Sequence, residues 1–263
     1  MKKIIALLLA VLLLVGMTAC GAKETTDGSD VAYVKEKGKL VVGITDFAPM
    51  DFKDDAGNWV GFDADMAKAF AKELGVECEF VEINWDTKIN ELDSKAIDVV
   101  WNGMTLTDEV KKGMETSNPY CNNAQVVVVK ADVAEDYAIA EACTALNFAV
   151  ESGSAGEAAV AAKNFNYIPV TTQADALMEV SSGTSDACVI DLLMAGAMIG
   201  EGTSYADLAY TAELTSEEYG VGFRKGSDLA AALNEFFVKA YADGSMMQIA
   251  ETYGVHASII EQK

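Results

Sequence analysis

Residues 62–83 read FDADMAKAFAKELGVECEFVEI and carry the signals of a helix followed by a strand. Apolar side chains recur four residues apart, which places them on one face of a helix, at Met66, Phe70 and Leu74. Asp63 can cap the start of this helix, and Gly75 can end it because glycine readily adopts the left-handed conformation. Residues 76–83 then predict a strand, and this succession is typical of an α/β fold.

The same alternation extends in both directions along the chain. Strands are predicted at residues 39–45, 76–83, 97–101, 125–130, 146–151, 167–170, 187–190 and 219–224. Helices are predicted at residues 86–92, 156–163, 174–180, 229–241 and 245–253. Because strands that alternate with helices form parallel sheets, the sequence predicts mostly parallel sheets flanked by helices.

The N-terminus has the features of a secretory signal. Two lysines are followed by an apolar run over residues 4–15, and small residues precede Cys20. A basic start, an apolar segment of about 7–15 residues and a small-residue cleavage site distinguish a signal peptide from a membrane-spanning helix. We therefore predict a signal peptide at residues 1–19 and a flexible polar tether at residues 20–30.

Residues 17–20, Met-Thr-Ala-Cys, resemble the cleavage box of a bacterial lipoprotein. The resemblance implies that Cys20 is lipidated, with palmitate among its acyl chains. The mature chain would then be anchored to the extracytoplasmic face of the cell membrane. The alternative is an ordinary signal peptide with an incidental cysteine, and both interpretations place the mature domain outside the cytoplasm.

The composition argues against several classes of function. The chain has 41 acidic and 19 basic residues, and its net charge of −22 makes nucleic acid an unsuitable partner. No two of its five cysteines have CxxC spacing, so we expect no metal and no cofactor, whereas a Cys121–Cys143 pair stays open. The only histidine, His256, lies near the C-terminus, which argues against a Ser-His-Asp or Cys-His catalytic device.

Two segments, residues 89–103 and 177–191, repeat the order of a helix, a polar turn, an aspartate and an apolar strand. In open parallel sheets, ligands bind beyond the carboxyl ends of the strands. Asn102 and Gly103 end one of these strands, and Asp191 ends the other. We therefore expect these three residues to face a common crevice. Coincidence between two ordinary βαβ units is the alternative explanation of the repeat.

Four segments, taken in order, resemble the extracellular solute-binding proteins of polar amino-acid ABC importers. They are GITDFAPMDF at 43–52, GFDADM at 61–66, GMTLTDE at 103–109 and NPY at 118–120. Later segments agree, among them GS at 153–154 and YGVGFRK at 219–225. The resemblance covers about residues 38–253 and implies the periplasmic-binding-protein-like II fold, in which a ligand is clamped between two α/β lobes.

The resemblance also implies how the chain is divided. Two crossover strands would join the lobes near residues 120–125 and 215–220. Lobe one would then contain residues 31–122 and, after the return of the chain, residues 218–263. Lobe two would contain residues 123–217.

Five residues of lobe one match binding positions of the family. Asp46 and Phe47 would line the wall of the cleft and contact the ligand side chain, although Phe47 could equally be a core residue. Asn102, Gly103 and Thr105 would supply polar groups for the backbone atoms of the ligand.

In lobe two, Ser154 would start a helix whose free N–H groups favour a carboxylate, and Asp191 would pair with the α-ammonium of the ligand. For Asp191 the alternative is a solvated loop acid. The chain departs from the family at Val110, where an arginine normally forks onto the ligand carboxylate. Lys111 or Lys112 could approach as a point charge, but a lysine does not reproduce the fork.

The resemblance therefore predicts the lipid-anchored solute-binding component of an ABC importer. It would be a monomer without catalytic residues, and its partners would be the permease subunits and an amino acid or amine-bearing, cationic small molecule. Two alternatives stay open. One is a sensory or adhesive ligand-binding lipoprotein, and the other is a dehydratase-like enzyme on the same fold.

Overall fold

The computed structural model describes residues 28–263. The predicted signal peptide, the lipidation site at Cys20 and most of the predicted tether lie outside the described residues. Within the described part, no helix combines the length and the apolar character needed to cross a membrane.

Strands and helices alternate along the described chain, as the sequence predicts. The strands are β1 Lys39–Ile44, β2 Phe52–Lys53, β3 Trp59–Val60, β4 Glu77–Glu82, β5 Val99–Thr105, β6 Glu115–Thr116, β7 Cys121–Asn123, β8 Gln125–Lys130, β9 Asn147–Glu151, β10 Asn166–Val170, β11 Ala187–Asp191, β12 Leu208–Glu213 and β13 Glu217–Phe223. The α-helices are α1 Asp30–Lys37, α2 Phe62–Leu74, α3 Lys88–Asp93, α4 Asp108–Gly113, α5 Ala155–Ala162, α6 Gln173–Ser182, α7 Leu192–Met198, α8 Leu229–Ala242 and α9 Ser245–Thr252.

Eleven of the thirteen described strands form two mixed sheets, each at the centre of one lobe, and β2 and β3 form a separate antiparallel pair. Lobe one has the order β4-β1-β5-β13-β6, with β7 also paired to β13, and lobe two has the order β10-β9-β11-β8-β12. Pairing is parallel for β4-β1-β5 and for β10-β9-β11. Strands β13 and β8 run antiparallel to their neighbours. The parallel pairs contain the strands that helices connect, as the alternation predicts.

The chain passes between the two sheets twice. The first passage is from β7 to β8 through residue 124, and the second is from β12 to β13 through residues 214–216. Asn123 and Glu217 are strand residues of the lobe-one sheet, one residue outside the limits expected for that lobe. The remaining limits of the two lobes stay a prediction.

The end of the predicted tether is ordered. Helix α1 begins at Asp30, and the Ser29 hydroxyl caps it by accepting the Ala32 N–H at 3.1 Å. The carboxylate of Asp30 accepts hydrogen bonds from the guanidinium of Arg224, the only arginine of the chain. Ser29 and Asp30, at the end of the predicted tether, are therefore part of the folded structure.

Helix α2 begins at Phe62, and Asp63 does not cap it, so this part of the prediction is wrong. The N-cap residue is Gly61, whose φ of 127° favours glycine. The Asp63 side chain is buried, and its Oδ2 accepts hydrogen bonds from the Gly103 N–H at 2.6 Å and from the Tyr120 hydroxyl at 2.7 Å. These tertiary contacts take the carboxylate away from the helix terminus.

Two questions about the cysteines are answered within residues 28–263. Cys121 and Cys143 are both buried free thiols, so they do not pair. Cys188 is buried and Cys78 is half-buried, and both are free. His256 is exposed, in agreement with a surface position.

Candidate ligand-binding site

A cavity of about 240 Å³ lies between the two lobes. Six of the seven predicted binding residues line it, and they come from both lobes: Phe47, Asn102, Gly103, Thr105, Ser154 and Asp191. Asp46 is not among the lining residues, and its side chain is exposed. In the part of the chain that the structure describes, no group of three or more His, Cys, Asp or Glu side chains could hold a metal ion.

The wall in lobe one is built around a close contact between Phe47 and Gly103. Gly103 has a φ of 54°, and a Cβ atom added to it would lie 2.3 Å from Cε1 of Phe47. The Phe47 ring also packs edge-on against Tyr219, with the ring centroids 6.3 Å apart. Only a glycine at position 103 therefore lets the aromatic ring come this close to the backbone of β5.

The polar groups at the end of β5 already have partners within the protein. Asn102 accepts a hydrogen bond from the Thr45 hydroxyl at 2.6 Å, and its amide donates to Asp51 Oδ2 at 2.7 Å. The hydroxyl of Thr105 donates to Glu217 at 2.9 Å. The donors of these side chains bond other residues of lobe one and of the crossover strands. The side chains are therefore held in place and fix the shape of the wall.

On the opposite wall, Ser154 occupies the start of helix α5. Its hydroxyl accepts the Glu157 N–H at 3.1 Å, while the Glu157 carboxylate accepts the Gly153 N–H at 2.6 Å. Ala155, the first residue of the helix, also lines the cavity. The positive end of the helix dipole is therefore directed towards the cavity, as expected for a position that favours an anion.

Asp191 lies buried at the end of β11 in a network that joins both lobes. Its Oδ1 accepts hydrogen bonds from Asn123 at 2.6 Å, from Gln125 at 3.0 Å and from the Tyr219 hydroxyl, and its Oδ2 accepts one from Gln173 at 2.6 Å. Burial, and then the charge of Glu217, raises the pKa of Asp191 to about 7. The network holds the carboxyl rigidly at the cavity.

A second buried acid, Glu151, was not assigned to the site by the sequence. It ends β9, lines the cavity and is 2% exposed. Burial, together with the nearby charge of Asp191, raises the pKa of Glu151 to about 8, and hydrogen bonds with Gln173 and Trp85 offset part of this increase. The sequence did contain a signal, since Glu151 is the last residue of a predicted strand.

The cation that lines the cavity is Lys88, which the sequence analysis also missed. It begins helix α3 and is buried, and burial lowers its pKa. Lys111 and Lys112 are exposed and do not line the cavity. Val110 does line it, at the position where the family resemblance implies an arginine, and it packs among apolar side chains that include Met104.

The structure has two lobes, the chain crosses between them twice, and a cavity lies between the lobes at the strand ends. This architecture is that of a two-lobed solute-binding protein. The profile of the bacterial extracellular solute-binding proteins, family 3, matches residues 40–256. The chain therefore belongs to this family. The sequence is 32% identical over 251 residues to the L-cystine-binding protein TcyJ of Escherichia coli strain K12, covering 93% of this chain and 92% of that protein.

Solved structures of the same architecture are similar over most of the chain. A mutant of ArgBP from T. maritima has a TM-score of 0.80 at 34% identity, covering 85% of this chain and 98% of that one. The same ArgBP is also known in an arginine-bound form. The ancestral amino acid-binding protein AncCDT-1, a precursor of cyclohexadienyl dehydratase, has a TM-score of 0.78 at 34% identity, covering 86% of this chain and 99% of that one.

Proposed function

We propose that this protein is the solute-binding component of an ABC importer and that its ligand is an amino acid, or an amino-acid-like molecule, with a net positive charge. The observation that carries the proposal is the set of charged groups at the cavity. Two buried carboxyl groups, Glu151 and Asp191, line it together with one buried ammonium group, Lys88. Once both carboxyl groups are ionised, these three buried groups carry one net negative charge, which a ligand with one more positive than negative charge would neutralise. The exposed Asp108 and Glu109, which also line the cavity, favour a cationic ligand further.

The like charges at Glu151 and Asp191 support an amine-bearing ligand in particular. The pKa of each carboxyl group is raised, mainly because burial penalises its charged form. An ammonium group bound beside them would favour ionisation of both. The relatives named as binding proteins for amino acids, among them TcyJ and the arginine-bound ArgBP, support the same class of ligand.

A ligand screen tests this proposal. The purified protein is titrated by calorimetry with the standard amino acids, ornithine and simple diamines, after a thermal-shift survey of the same compounds. We expect basic amino acids to bind most tightly and to raise the melting temperature most, and acidic amino acids to bind worst, since their extra carboxylate would meet Glu151. Tight binding of glutamate or aspartate, or no binding of any amine-bearing compound, would contradict the proposal.

The proposed mode of action places the protein at the cell membrane. Ligand binding would shift the equilibrium between open and closed lobes, and a permease would recognise the closed form. Lipidation of Cys20 would keep the receptor near that permease. A Cys20→Ser variant expressed in a Gram-positive host should move from the membrane fraction to the medium. If the variant stays bound to membranes to the same extent as the parent, the lipid anchor is not part of the function.

One observation favours a second candidate, a dehydratase-like enzyme. Glu151 is a buried acid whose pKa of about 8 keeps it protonated at neutral pH, and such a group can act as a general acid. AncCDT-1, to which the chain is similar, is an amino acid-binding protein described as a precursor of cyclohexadienyl dehydratase. Incubation of the protein with prephenate-like substrates decides between the candidates. Turnover by the parent that is lost in Glu151→Gln would support the enzyme. No turnover by the parent would support the solute receptor.

A further inference from the structure

Lys88 is a buried charge without an ionic partner in the described chain. Only 8% of the residue is exposed. Its Nζ donates one hydrogen bond, at 2.8 Å, to the backbone carbonyl of Trp85, and it makes no ion pair with any carboxylate of residues 28–263. Nζ also lies 5.7 Å from the centroid of the Trp85 ring, at the edge of cation–π range. A lysine ammonium carries three donors, so two remain beside the one that bonds the Trp85 carbonyl.

An ammonium group that is buried without a counter-ion is costly, and proteins rarely keep one unless something binds to it. The neighbouring acids do not fill this role. Asp86 and Glu109 lie close enough to favour the charged form of Lys88, but both are exposed and neither approaches within ion-pair distance. Asp86 also accepts a hydrogen bond from Ser152 of the other lobe. The free donors of Lys88 are therefore available to a molecule in the cavity.

The position of Lys88 suits an anionic group of the ligand. Helix α3, which Lys88 begins, packs closely on helix α4, since a Cβ atom added to Gly113 would lie 2.6 Å from Cδ1 of Ile89. Val110 projects from α4 into the same cavity and offers no donor. The two buried acids of the cavity, Glu151 and Asp191, belong to the other lobe, whereas Asp108 and Glu109, which also line the cavity, are exposed on helix α4. The buried groups of opposite charge, Lys88 on one side and Glu151 and Asp191 on the other, thus lie on opposite walls of the cavity.

We propose that Lys88 is the residue that binds the carboxylate of the ligand, in place of the arginine that is absent at position 110. This inference rests on the proposed function. With Lys88 on one wall and two carboxyl groups on the other, the site selects molecules that carry one carboxylate and two cationic groups. Basic α-amino acids have this pattern of charges, whereas their decarboxylated amines do not. Lys88 is therefore a specificity-determining residue.

The test compares L-arginine with agmatine, its decarboxylated analogue, by calorimetry on the full-length mature protein. We expect the parent to bind L-arginine at least about tenfold more tightly than agmatine, as one charge-assisted hydrogen bond would give. Lys88→Met keeps the length of the side chain and removes its charge, and Lys88→Gln keeps a donor for the Trp85 carbonyl. Both variants should bind the two probes with similar affinities.

Lys112→Met is the matched control, because Lys112 is exposed on helix α4 and does not line the cavity. This variant should keep the preference of the parent. If either folded variant of Lys88 still prefers L-arginine as strongly as the parent does, the inference is wrong while the proposed function stands. If neither probe binds the parent at all, the inference fails, and the wider ligand screen decides whether the proposed function fails with it.

Discussion

Ser152 of lobe two donates a hydrogen bond of 2.9 Å to the carboxylate of Asp86 in lobe one. Asp86 follows β4, and Ser152 follows β9, so the bond joins the loops of two different sheets beside the cavity. The next residue, Gly153, lies equally close: a Cβ atom added to it would be 2.6 Å from Oδ1 of Asp86 and 2.9 Å from its backbone nitrogen. The described arrangement is thus a closed cleft with little space at this contact.

This contact predicts that Gly153→Ala favours the open state. The methyl group would collide with Asp86 when the lobes close, and the φ of 71° at this position adds strain. We expect ligand affinity to fall by about tenfold or more, equivalent to about 1.4 kcal/mol, and small-angle scattering with ligand to show a more extended molecule.

The control for this prediction is Gly183→Ala. Gly183 has a similar φ of 79° and also lies in lobe two, but a Cβ atom there would meet nothing within 4 Å. It should therefore lower the melting temperature without changing the lobe equilibrium. Equal losses of affinity in both variants would mean that backbone strain, rather than the contact with Asp86, explains the effect.

Asp191→Ala should weaken the binding of any amine-bearing ligand by roughly 2–4 kcal/mol, because the variant removes a partner from a desolvated ammonium group. The structure adds a second expectation. Four side-chain donors, from Asn123, Gln125, Gln173 and Tyr219, would lose their common acceptor. The ligand-free variant should therefore also unfold at a lower temperature. Calorimetry that finds unchanged affinity in a folded variant would exclude Asp191 from the site.

Much of the fold and part of the site could be predicted because the relevant signals are local. Gly103 lies two residues before the end of β5, and Asp191 ends β11; both positions follow short apolar runs, and the rule for open sheets directs both towards one crevice. The same rule applies to Glu151, which ends β9, and it was not applied there. The sequence therefore did contain a signal for Glu151.

Lys88 and Asp63 show what local patterns could not supply. Lys88 looks like one of several polar residues of a short helix, and its burial arises only when α3 packs beside α4 and the lobes enclose the cavity. Asp63 lies where the sequence predicts a helix cap. Hydrogen bonds with Gly103 and Tyr120, which are distant along the chain, determine the position of its side chain instead. In both cases, contacts between distant helices, strands and loops determine the position of the side chain, rather than the local sequence pattern.

The raised pKa values of Glu151 and Asp191 predict that the protein becomes less stable as the pH rises. The pKa of Glu151 is about 8 in the folded protein against an ordinary value of 4.5, and the pKa of Asp191 is about 7 against 3.8. Between about pH 5 and pH 8 the unfolded chain has therefore lost protons that the folded protein retains. The free energy of unfolding of the ligand-free protein should fall over this range, by up to about 1.4 kcal/mol per pH unit for each such group.

Glu151→Gln removes one of these groups while keeping the shape of the side chain. Its melting temperature, measured by calorimetry without ligand at several values between pH 5 and pH 8, should fall less steeply than that of the parent. The remaining slope would come from Asp191 and other groups. If the two proteins lose stability in parallel, Glu151 is already ionised in the folded state, and its contribution to the charge of the cavity would need revision.

Val110→Arg tests how the charge of the cavity sets its selectivity. Val110 is 4% exposed and lines the cavity, so an arginine side chain can reach a ligand from the same helix. The added guanidinium would bind a carboxylate in a fork and should improve the affinity for neutral α-amino acids by about tenfold or more, about 1.4 kcal/mol. It would also add a second cation beside Lys88, so amines without a carboxylate should bind more weakly. A calorimetric series with glutamine, L-arginine and agmatine separates these effects, and no gain for glutamine in a folded variant would contradict the prediction.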